Sequence, residues 1–468
     1  MTPSANDNWE RTAGSDAPSP QLRHTFFARL EEVRSPPLFT PRRVVGPTAF
    51  AGKATAVIGI RRAGKTTFLH QLRSERISTG VPAECLPFVS FEDERLVGLG
   101  AATLGALIDE YTDRYRATTS SGTHAPVCWF LDEIQTVAGW ERLVRRLLDA
   151  EGAEVFVSGS SAALLSREIA TELRGRAWQV LMHPFGFDEA LRHRGEALPE
   201  SPPNMSRIER ARVEAAFVEW LESGGFPEAQ GLDTATRRRL LTDYVDVALL
   251  RDVIDRHGAT NVVGLRWLAR QLLANAGAMF SVEKFHRTLR SQGIAIARDT
   301  VHQHLSWLED SFLVRTVWME AASERQRMVN PRKAYPVDAG LIGVYDRNGR
   351  ANRGHALETA VLIELERRGS EITYVQTAEG YEVDFLAHHL DGTAELIQVC
   401  ADATDASTAA RELRGLVAAS KVLPTASQSL LTLDHRGLPG EVPTGVHAQP
   451  AYEWILSAAV GAQHCAAK

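Results

Sequence analysis

The sequence predicts an α/β protein in which a parallel sheet covered by helices is followed by helical segments and a second region of mixed α and β structure. The 468 residues are more than one hydrophobic core usually serves. Hydrophobic residues make up 44% and charged residues 24% of the chain, which is average for globular proteins and excludes a mainly disordered polypeptide. In the N-terminal part, short apolar runs alternate with helical patterns, as in a parallel sheet covered on both faces.

The apolar runs that predict the first sheet recur with helical segments between them. They lie at residues 54–60, 86–91, 127–131 and 155–157. From about residue 187 to residue 255 the pattern is helical, and glycines and a proline interrupt it at residues 224–227. The last part of the chain predicts a helix at residues 355–368, followed by strands at 372–376, 382–387 and 395–400.

A phosphate-binding loop is predicted where the first strand ends. The pattern G-x-x-x-x-G-K-[ST] requires a strand before it and a helix after it, and both are predicted here. Its residues are Gly59, Ile60, Arg61, Arg62, Ala63, Gly64, Lys65 and Thr66, followed by Thr67. Backbone N–H groups of such a loop surround a phosphate, the lysine reaches the β- and γ-phosphates, and the hydroxyl binds Mg²⁺. We expect ATP and Mg²⁺ as cofactors; the alternative is a glycine-rich turn without a ligand.

Two consecutive carboxylates follow the third apolar run. Asp132 and Glu133 lie at the C-terminal edge of a predicted strand, where open α/β sheets bind ligands. We expect Asp132 to hold the Mg²⁺ and Glu133 to take a proton from the attacking water or to orient it. The alternative is an acidic pair that is exposed to solvent.

Further polar residues are candidates for the same site. Ser160 follows the fourth run, where it would contact the γ-phosphate or the attacking water, and an N-cap role is the equal alternative. Arg174 and Arg176 offer guanidinium groups for the charge of the transferred phosphoryl group, and Arg176 is our catalytic candidate. It would act in its own subunit or in a neighbour within a homo-oligomer; the alternative is a solvated surface arginine.

The charge distribution indicates one local surface for nucleic acid. The chain has a formal net charge of -6, so there is no overall basic field. Residues 261–340 contain 11 Lys and Arg against 7 acids, a local balance of +4. A helix beginning near residue 300 is expected to expose His302, Gln303 and His304 to DNA phosphates or bases. The alternative is packing against the core or binding of a protein partner.

Cysteine usage and hydropathy predict a location in the cytoplasm, without membrane contact. The four cysteines are far apart in sequence and form no C-x-x-C pair. No apolar run approaches the roughly 18 to 20 residues that span a bilayer, and no signal segment begins the sequence.

Together these motifs resemble the AAA-type P-loop ATPases of bacteria and archaea that carry a C-terminal domain of unknown function. The resemblance covers most of the chain and rests on motifs that are individually short. They are GIRRAGKTT (59–67), FEDERL (91–96), LDEIQ (131–135), SGSSA (158–162), RGR (174–176), HPFGFDEAL (183–191), GGFPEA (224–229) and LLRDVIDRHG (249–258).

The resemblance implies a domain order along the chain. The expected parts are a partly disordered N-terminal tail (1–40), a P-loop ATPase core (41–190), a helical lid or linker (191–260), a winged-helix-like segment (261–345) and a degenerate restriction-endonuclease-like α/β domain (346–468). The nuclease-like fold uses an acid on its first helix, an aspartate on a strand, and an acid-x-Lys motif on the next strand.

By this resemblance, Glu358 and Asp384 take the first two nuclease positions, whereas Gln398 replaces the second acid of the strands and Cys400 replaces the lysine. Two carboxylates and no cation would remain. We therefore expect an inactive module, and a working nuclease is the alternative.

Three functions follow as hypotheses. The preferred one is Mg²⁺-dependent ATP hydrolysis coupled to remodelling of DNA or of a DNA-bound complex, with DNA bound by the winged-helix and C-terminal segments. The second is a nucleotide-controlled switch with slow turnover that binds a protein partner. The third, an ATP-coupled nuclease, is disfavoured by Gln398 and Cys400.

Overall fold

The computed structural model describes residues 18–32, 35–96, 98–118, 127–150, 152–160, 175–346 and 352–457. The chain divides into two compact units. The first comprises Met1–Phe39, Gly46–Ile58 and Lys65–Leu181, and the second comprises Thr40–Val45, Gly59–Gly64 and Met182–Lys468.

The first unit is built on a parallel sheet of five described strands in the order β2-β3-β4-β1-β5. They are β1 (Ala54–Ile58), β2 (Phe88–Ser90), β3 (Cys128–Asp132), β4 (Glu154–Gly159) and β5 (Ala177–Leu181). Every neighbouring pair is parallel, which confirms the predicted α/β sheet. The first four strands overlap the predicted runs. Sequence reasoning missed β5, because that strand is only partly buried and its sequence, AWQVL, does not form an apolar run.

The described helices of the first unit precede β1 or lie between its strands along the sequence. They are α1 (Pro20–Glu32), α2 (Lys65–Ser78), α3 (Ala101–Thr118) and α4 (Trp140–Ala150). Within residues 1–40, which were predicted as a partly disordered tail, the structure contains helix α1, whose Phe26 and Leu30 are buried one helical turn apart. An ion pair of 2.6 Å between Arg29 and Asp93 also holds this helix.

The carboxyl ends of the parallel strands place the polar residues of this unit. Strands β1 and β3 are buried at every position, so their side chains are almost all apolar until the strand ends. Asp132 is the last residue of β3, and Ser158 lies one residue before the end of β4. Because parallel strands end at one edge of a sheet, these side chains come together there.

The second unit begins with helices, as the pattern over residues 187–255 predicts. The described helices of this unit include α5 (Phe187–His193), α6 (Arg207–Ser223), α7 (Thr234–Val247), a π-helical turn (Ala248–Asp255), α8 (Val262–Ala274), α9 (Val282–Ser291), α10 (Arg298–Asp310), α11 (Glu324–Val329), α12 (Gly340–Tyr345), α13 (Arg353–Arg367) and α14 (Ala406–Val422). Helix α6 ends at Gly224, whose φ of 76° favours glycine; a Cβ there would lie 1.9 Å from Asp338 Oδ1.

A second sheet of eight described strands has the order β13-β12-β11-β10-β9-β7-β8-β6. Its strands are β6 (Met279–Phe280), β7 (Val314–Met319), β8 (Arg332–Pro336), β9 (Glu371–Gln376), β10 (Glu382–His388), β11 (Ala394–Val399), β12 (Ser427–Thr432) and β13 (Val446–Pro450). Strand β7 pairs in parallel with β9. The sheet therefore continues across the predicted domain boundary at residues 345 and 346.

Helices pack on this second sheet through two hydrophobic clusters. One joins residues such as Leu357 and Val361 of α13 to Phe385 of β10, and the other joins Leu413 and Leu416 of α14 to the same sheet. The pairing register of β10 with β9 shifts between Val383 and Leu386. This irregularity spans Asp384 and Phe385, and a bulge in a strand redirects the side chains next to it.

No helix among the described residues is long and apolar enough to cross a membrane.

Candidate functional site

The end of β3 carries a buried carboxylate that three hydroxyl groups contact. Asp132 is 1% exposed. Thr66 Oγ1 lies 3.1 Å from both of its oxygens, Ser158 Oγ donates to Oδ1 over 2.5 Å, and Ser90 Oγ donates to Oδ2 over 3.0 Å. Helix α2 and strands β4 and β2 thus each supply one hydroxyl that fixes this carboxylate.

Burial is the main influence on the ionisation of Asp132. It raises the pKa of this carboxyl to about 6, and the neighbouring Glu133 contributes to the rise. The hydrogen bonds from Ser158, Ser90 and Thr66 act in the opposite direction because they favour the charged form.

Glu133 adopts a backbone conformation that is uncommon for a residue with a side chain. Its φ is 53°, in the left-handed region, and its side chain is buried. Its N–H donates to Ser158 Oγ over 3.0 Å, and Gln135 Nε2 donates to its carboxylate. Such strain persists where surrounding contacts enforce it and is frequent at active sites.

Four of the predicted residues meet in this place. Lys65 begins α2 and is 5% exposed, and its Nζ lies 3.9 Å from Glu133 Oε1. The adjacent Thr66 contacts Asp132. The lysine, the hydroxyl and the two carboxylates predicted from the two motifs therefore form one cluster in the first unit.

The oxygen atoms of Thr66 and Asp132 fit Mg²⁺. Mg²⁺ prefers oxygen ligands and is usually held by one or two carboxylates together with substrate phosphates and water. The described residues contain no group of three or more His, Cys, Asp or Glu that would hold a metal alone. The donor set therefore suits a cation that arrives with a phosphate ligand.

The loop between β1 and α2 depends on glycine at two positions. Gly59 has a φ of 145°, and a Cβ on it would lie 2.2 Å from the carbonyl oxygen of Met182. Gly64 has a φ of 95°, which favours glycine. Arg62 also has a positive φ, of 65°. These conformations give the loop its tight turns.

The arginine side chains of this loop bind carboxylates of the second unit, to which residues 59–64 belong. Arg61 Nε donates to Asp252 Oδ2 over 2.8 Å, and Arg62 Nη1 donates to Glu228 Oε1 over 3.0 Å. Both side chains therefore have acidic partners within the chain, a feature that the motif alone did not predict.

The remaining predicted residues of the site have different surroundings. Ser160 is fully buried. Arg176 forms an ion pair with Asp149, and both side chains are about two-fifths exposed. Arg174 lies outside the described residues. The roles assigned to Ser160 and Arg176 stay predictions.

Sequence reasoning missed Ser90 and Ser158, which hold Asp132. Ser90 pairs directly with Asp132 in the register of β2 and β3, and Ser158 lies on β4, the next strand. The available signal was the position of each serine at the end of an apolar run, in step with Asp132 across a parallel sheet.

The three residues predicted in the C-terminal module also lie together. Gln398 Nε2 donates to Asp384 Oδ2 over 2.9 Å, and Lys333 Nζ bridges Asp384 and Glu358. The prediction that this cluster lacks a cation is therefore wrong. The lysine comes from β8, far in sequence from Cys400, the position just after β11 where the resemblance would have it.

The expected DNA-contacting helix is α10, and only part of its predicted surface is exposed. His302 and Gln303 are exposed. His304 is 1% exposed, so its predicted exposure is wrong. The physical reason is helical periodicity, which places residue 304 on the same face as the buried Val301 and Leu308.

Comparison with known proteins gives two family matches. The model of an AAA domain matches residues 51–191, and the model of a domain of unknown function (DUF8612) matches residues 214–350. An uncharacterised protein of Methanocaldococcus jannaschii is 31% identical over 352 residues, which are 74% of this chain and 74% of that protein. An uncharacterised protein of Haemophilus influenzae is 27% identical over 72% of this chain and 79% of its own length.

The similarity to solved structures is weaker. A Walker-type ATPase of Pyrococcus abyssi has a TM-score of 0.38 and 16% identity, over 62% of this chain and 90% of that one. The Orc1 protein of Aeropyrum pernix, solved in complex with DNA, has a TM-score of 0.26 and 13% identity, over 69% of this chain and 91% of that one.

The archaeal relative, the AAA-domain match and the strand–loop–helix around Lys65 agree with one another. This chain belongs to the family of AAA-type P-loop proteins, whose fold binds ATP.

Proposed function

We propose that this chain is a Mg²⁺-dependent ATPase that couples hydrolysis to the remodelling of DNA or of a DNA-bound complex. The observation that carries the proposal is the cluster of Lys65, Thr66, Asp132 and Glu133 at the carboxyl edge of the first sheet. A site that only binds nucleotide would not need Glu133, a second acid in a strained conformation beside the lysine.

In the proposed reaction, Lys65 neutralises charge on the β- and γ-phosphates. Thr66 and Asp132 would hold Mg²⁺, which would supply positive charge to offset the charge that develops on the phosphate oxygens. Water attacks the γ-phosphorus, its proton passes to Glu133, and the bond to the ADP oxygen breaks, so that ADP and phosphate leave. Ser158 keeps Asp132 and the Glu133 backbone in position through its two hydrogen bonds.

The proposed coupling to DNA is supported by exposed basic side chains on the segment predicted as winged-helix-like. Lys284, Arg287 and Arg290 of α9 and Arg298 of α10 are exposed, as are His302 and Gln303 of α10. Such side chains suit contacts with phosphate groups. Part of the local positive charge is used internally, because Arg315 pairs with Glu366 and Lys333 is buried.

A nucleotide-controlled switch is the second candidate, and the ion pairs of Arg61 and Arg62 favour it. These pairs tie the loop that would bind phosphate to Asp252 of the π-helical turn and to Glu228. A ligand that changes the conformation of this loop would thus shift the conformational equilibrium of the helical region. In this alternative, slow hydrolysis only resets a surface that binds a protein partner.

ATP turnover by the purified chain, with and without single- and double-stranded DNA, separates these candidates. Stimulation of turnover by intact DNA supports DNA-coupled hydrolysis, whereas slow turnover that ignores DNA supports the switch. The integrity of the DNA is scored in the same reactions. Metal-dependent cleavage that is lost in Asp384→Ala would instead establish a nuclease.

A further inference from the structure

Lys333 is a buried cation in the middle of a carboxylate cluster. It lies on β8 and its side chain is 3% exposed. Its Nζ lies 2.6 Å from Glu382 Oε1, 2.8 Å from Asp384 Oδ1 and 3.2 Å from Glu358 Oε1. An ammonium group has three N–H donors. Hydrogen bonds to Asp384 and Glu358 use two of them, and the Glu382 carboxylate lies at ion-pair distance.

Other donors already occupy the carboxylate oxygens that face this cluster. Asp384 Oδ2 accepts hydrogen bonds from Gln398 Nε2 over 2.9 Å and from the Val399 N–H over 3.0 Å. Glu358 Oε1 accepts a further bond of 2.6 Å from the Tyr335 hydroxyl. A divalent cation would have to displace several of these donors before it could bind both carboxylates.

Gln398 adds to this mismatch with a metal. Its Nε2 donates to Asp384 and, over 2.7 Å, to Glu412 Oε2, while its Oε1 accepts from the Asp384 N–H over 3.3 Å. The amide therefore directs its N–H groups towards the carboxylates, where a metal site would need an oxygen.

The electrostatics of the cluster agree with a resident ammonium. Burial alone would lower the pKa of Lys333, but the charges of Asp384, Glu358 and Glu382 raise it by more. The net pKa is above the ordinary value, so the lysine stays charged. Burial, followed by the charge of Asp384, raises the pKa of Glu358 to about 7. The described residues hold no group of three or more His, Cys, Asp or Glu with metal-binding geometry.

The resemblance to nucleases implies Mg²⁺ between Glu358 and Asp384, and the residues present do not fit it. We propose instead that the Lys333 ammonium is the permanent cation of this cluster, so that the module is held together without a divalent metal and does not cut DNA. The inference is independent of ATP hydrolysis, because it concerns other residues.

The test measures Mn²⁺ binding by the full-length chain with electron paramagnetic resonance, in the absence of nucleotide. An Asp132→Asn background removes the carboxylate of the ATP site. We expect no Mn²⁺ bound at the cluster when Lys333 is present. Lys333→Met in the same background should gain a single bound Mn²⁺, and further addition of Asp384→Asn should abolish it. Lys333→Arg, which keeps the positive charge, is the matched control and should bind none.

Two results would overturn the proposal. One is Mn²⁺ bound with Lys333 intact and lost in Asp384→Asn, and the other is Mn²⁺ bound by the Lys333→Arg chain and lost in Asp384→Asn. If Lys333→Met fails to fold, thermal unfolding of the Asp132→Asn chain tests whether the cluster binds Mn²⁺. We expect its unfolding temperature to be the same in Mn²⁺ and in EDTA, and an increase with Mn²⁺ that Asp384→Asn removes would refute the proposal.

Discussion

Ser158→Ala tests whether the serine of β4 organises both acids of the nucleotide site. The substitution removes the hydroxyl that donates to Asp132 Oδ1 over 2.5 Å and accepts the Glu133 N–H over 3.0 Å. Ser158 is fully buried, at 0% exposure, so water cannot easily replace its hydroxyl group. The buried N–H and the carboxylate would each lose a partner.

The size of the effect follows from these two bonds. A hydrogen bond to a charged group contributes about 1.5–3 kcal/mol, and a buried donor left without a partner costs about 1–3 kcal/mol. If about 3 kcal/mol of this total falls on the placement of Glu133 in the transition state, ATP turnover decreases by on the order of 100-fold. Ser90→Ala is the matched control, because it removes a single hydrogen bond to Asp132 and leaves the Glu133 N–H paired.

The assay is phosphate release at saturating ATP and Mg²⁺, with ATP affinity measured in parallel by a fluorescent analogue. We expect Ser158→Ala to lose far more turnover than Ser90→Ala while both still bind nucleotide. A Ser158→Ala chain that is folded and turns over ATP within twofold of the original would refute the positioning role of this serine.

Three further substitutions test separate parts of the account. Lys65→Ala should weaken ATP binding by on the order of 100-fold, because it removes the charge that faces the phosphates, and unchanged affinity in a titration would contradict the loop assignment. Arg176→Ala should lower turnover by orders of magnitude and spare binding if this arginine stabilises the transferred phosphoryl group, and a normal rate would exclude that role. Asp338 is buried, which raises its pKa to about 6 from 3.8. Because the pKa of Asp338 is higher in the folded than in the unfolded state, its ionisation lowers the free energy of unfolding as the pH rises from about 4 to above 6. The total decrease is about 3 kcal/mol. The unfolding temperature of the original chain should therefore fall relative to Asp338→Asn between pH 4 and pH 7, and a constant difference would contradict this.

Local sequence patterns were sufficient for the first sheet and for the chemistry at its edge. Apolar runs identified β1 and β3, and the motifs that follow them identified Lys65, Thr66 and Asp132. These residues could be found because each belongs to a short motif at or soon after the end of its strand. Ser158 required the additional knowledge that β4 lies beside β3, which an apolar run does not state.

The second unit shows where sequence reasoning stops. Lys333 lies 51 positions from Asp384 and 25 from Glu358 in sequence, and only the sheet brings them together. No spacing rule connects a lysine of β8 with an aspartate of β10. The exposure of His304, in contrast, was predictable from helical periodicity and was predicted wrongly.

We propose that Glu133 makes this AAA-type protein a hydrolase and not only a nucleotide-binding protein. The most direct test compares Mg²⁺-dependent ATP turnover of the purified chain with that of Glu133→Gln, because an amide keeps the shape of the side chain but cannot take the proton. We expect the original chain to release phosphate, and Glu133→Gln to bind ATP with similar affinity and release none. Equal rates of phosphate release in the two chains would contradict the role of Glu133 in hydrolysis.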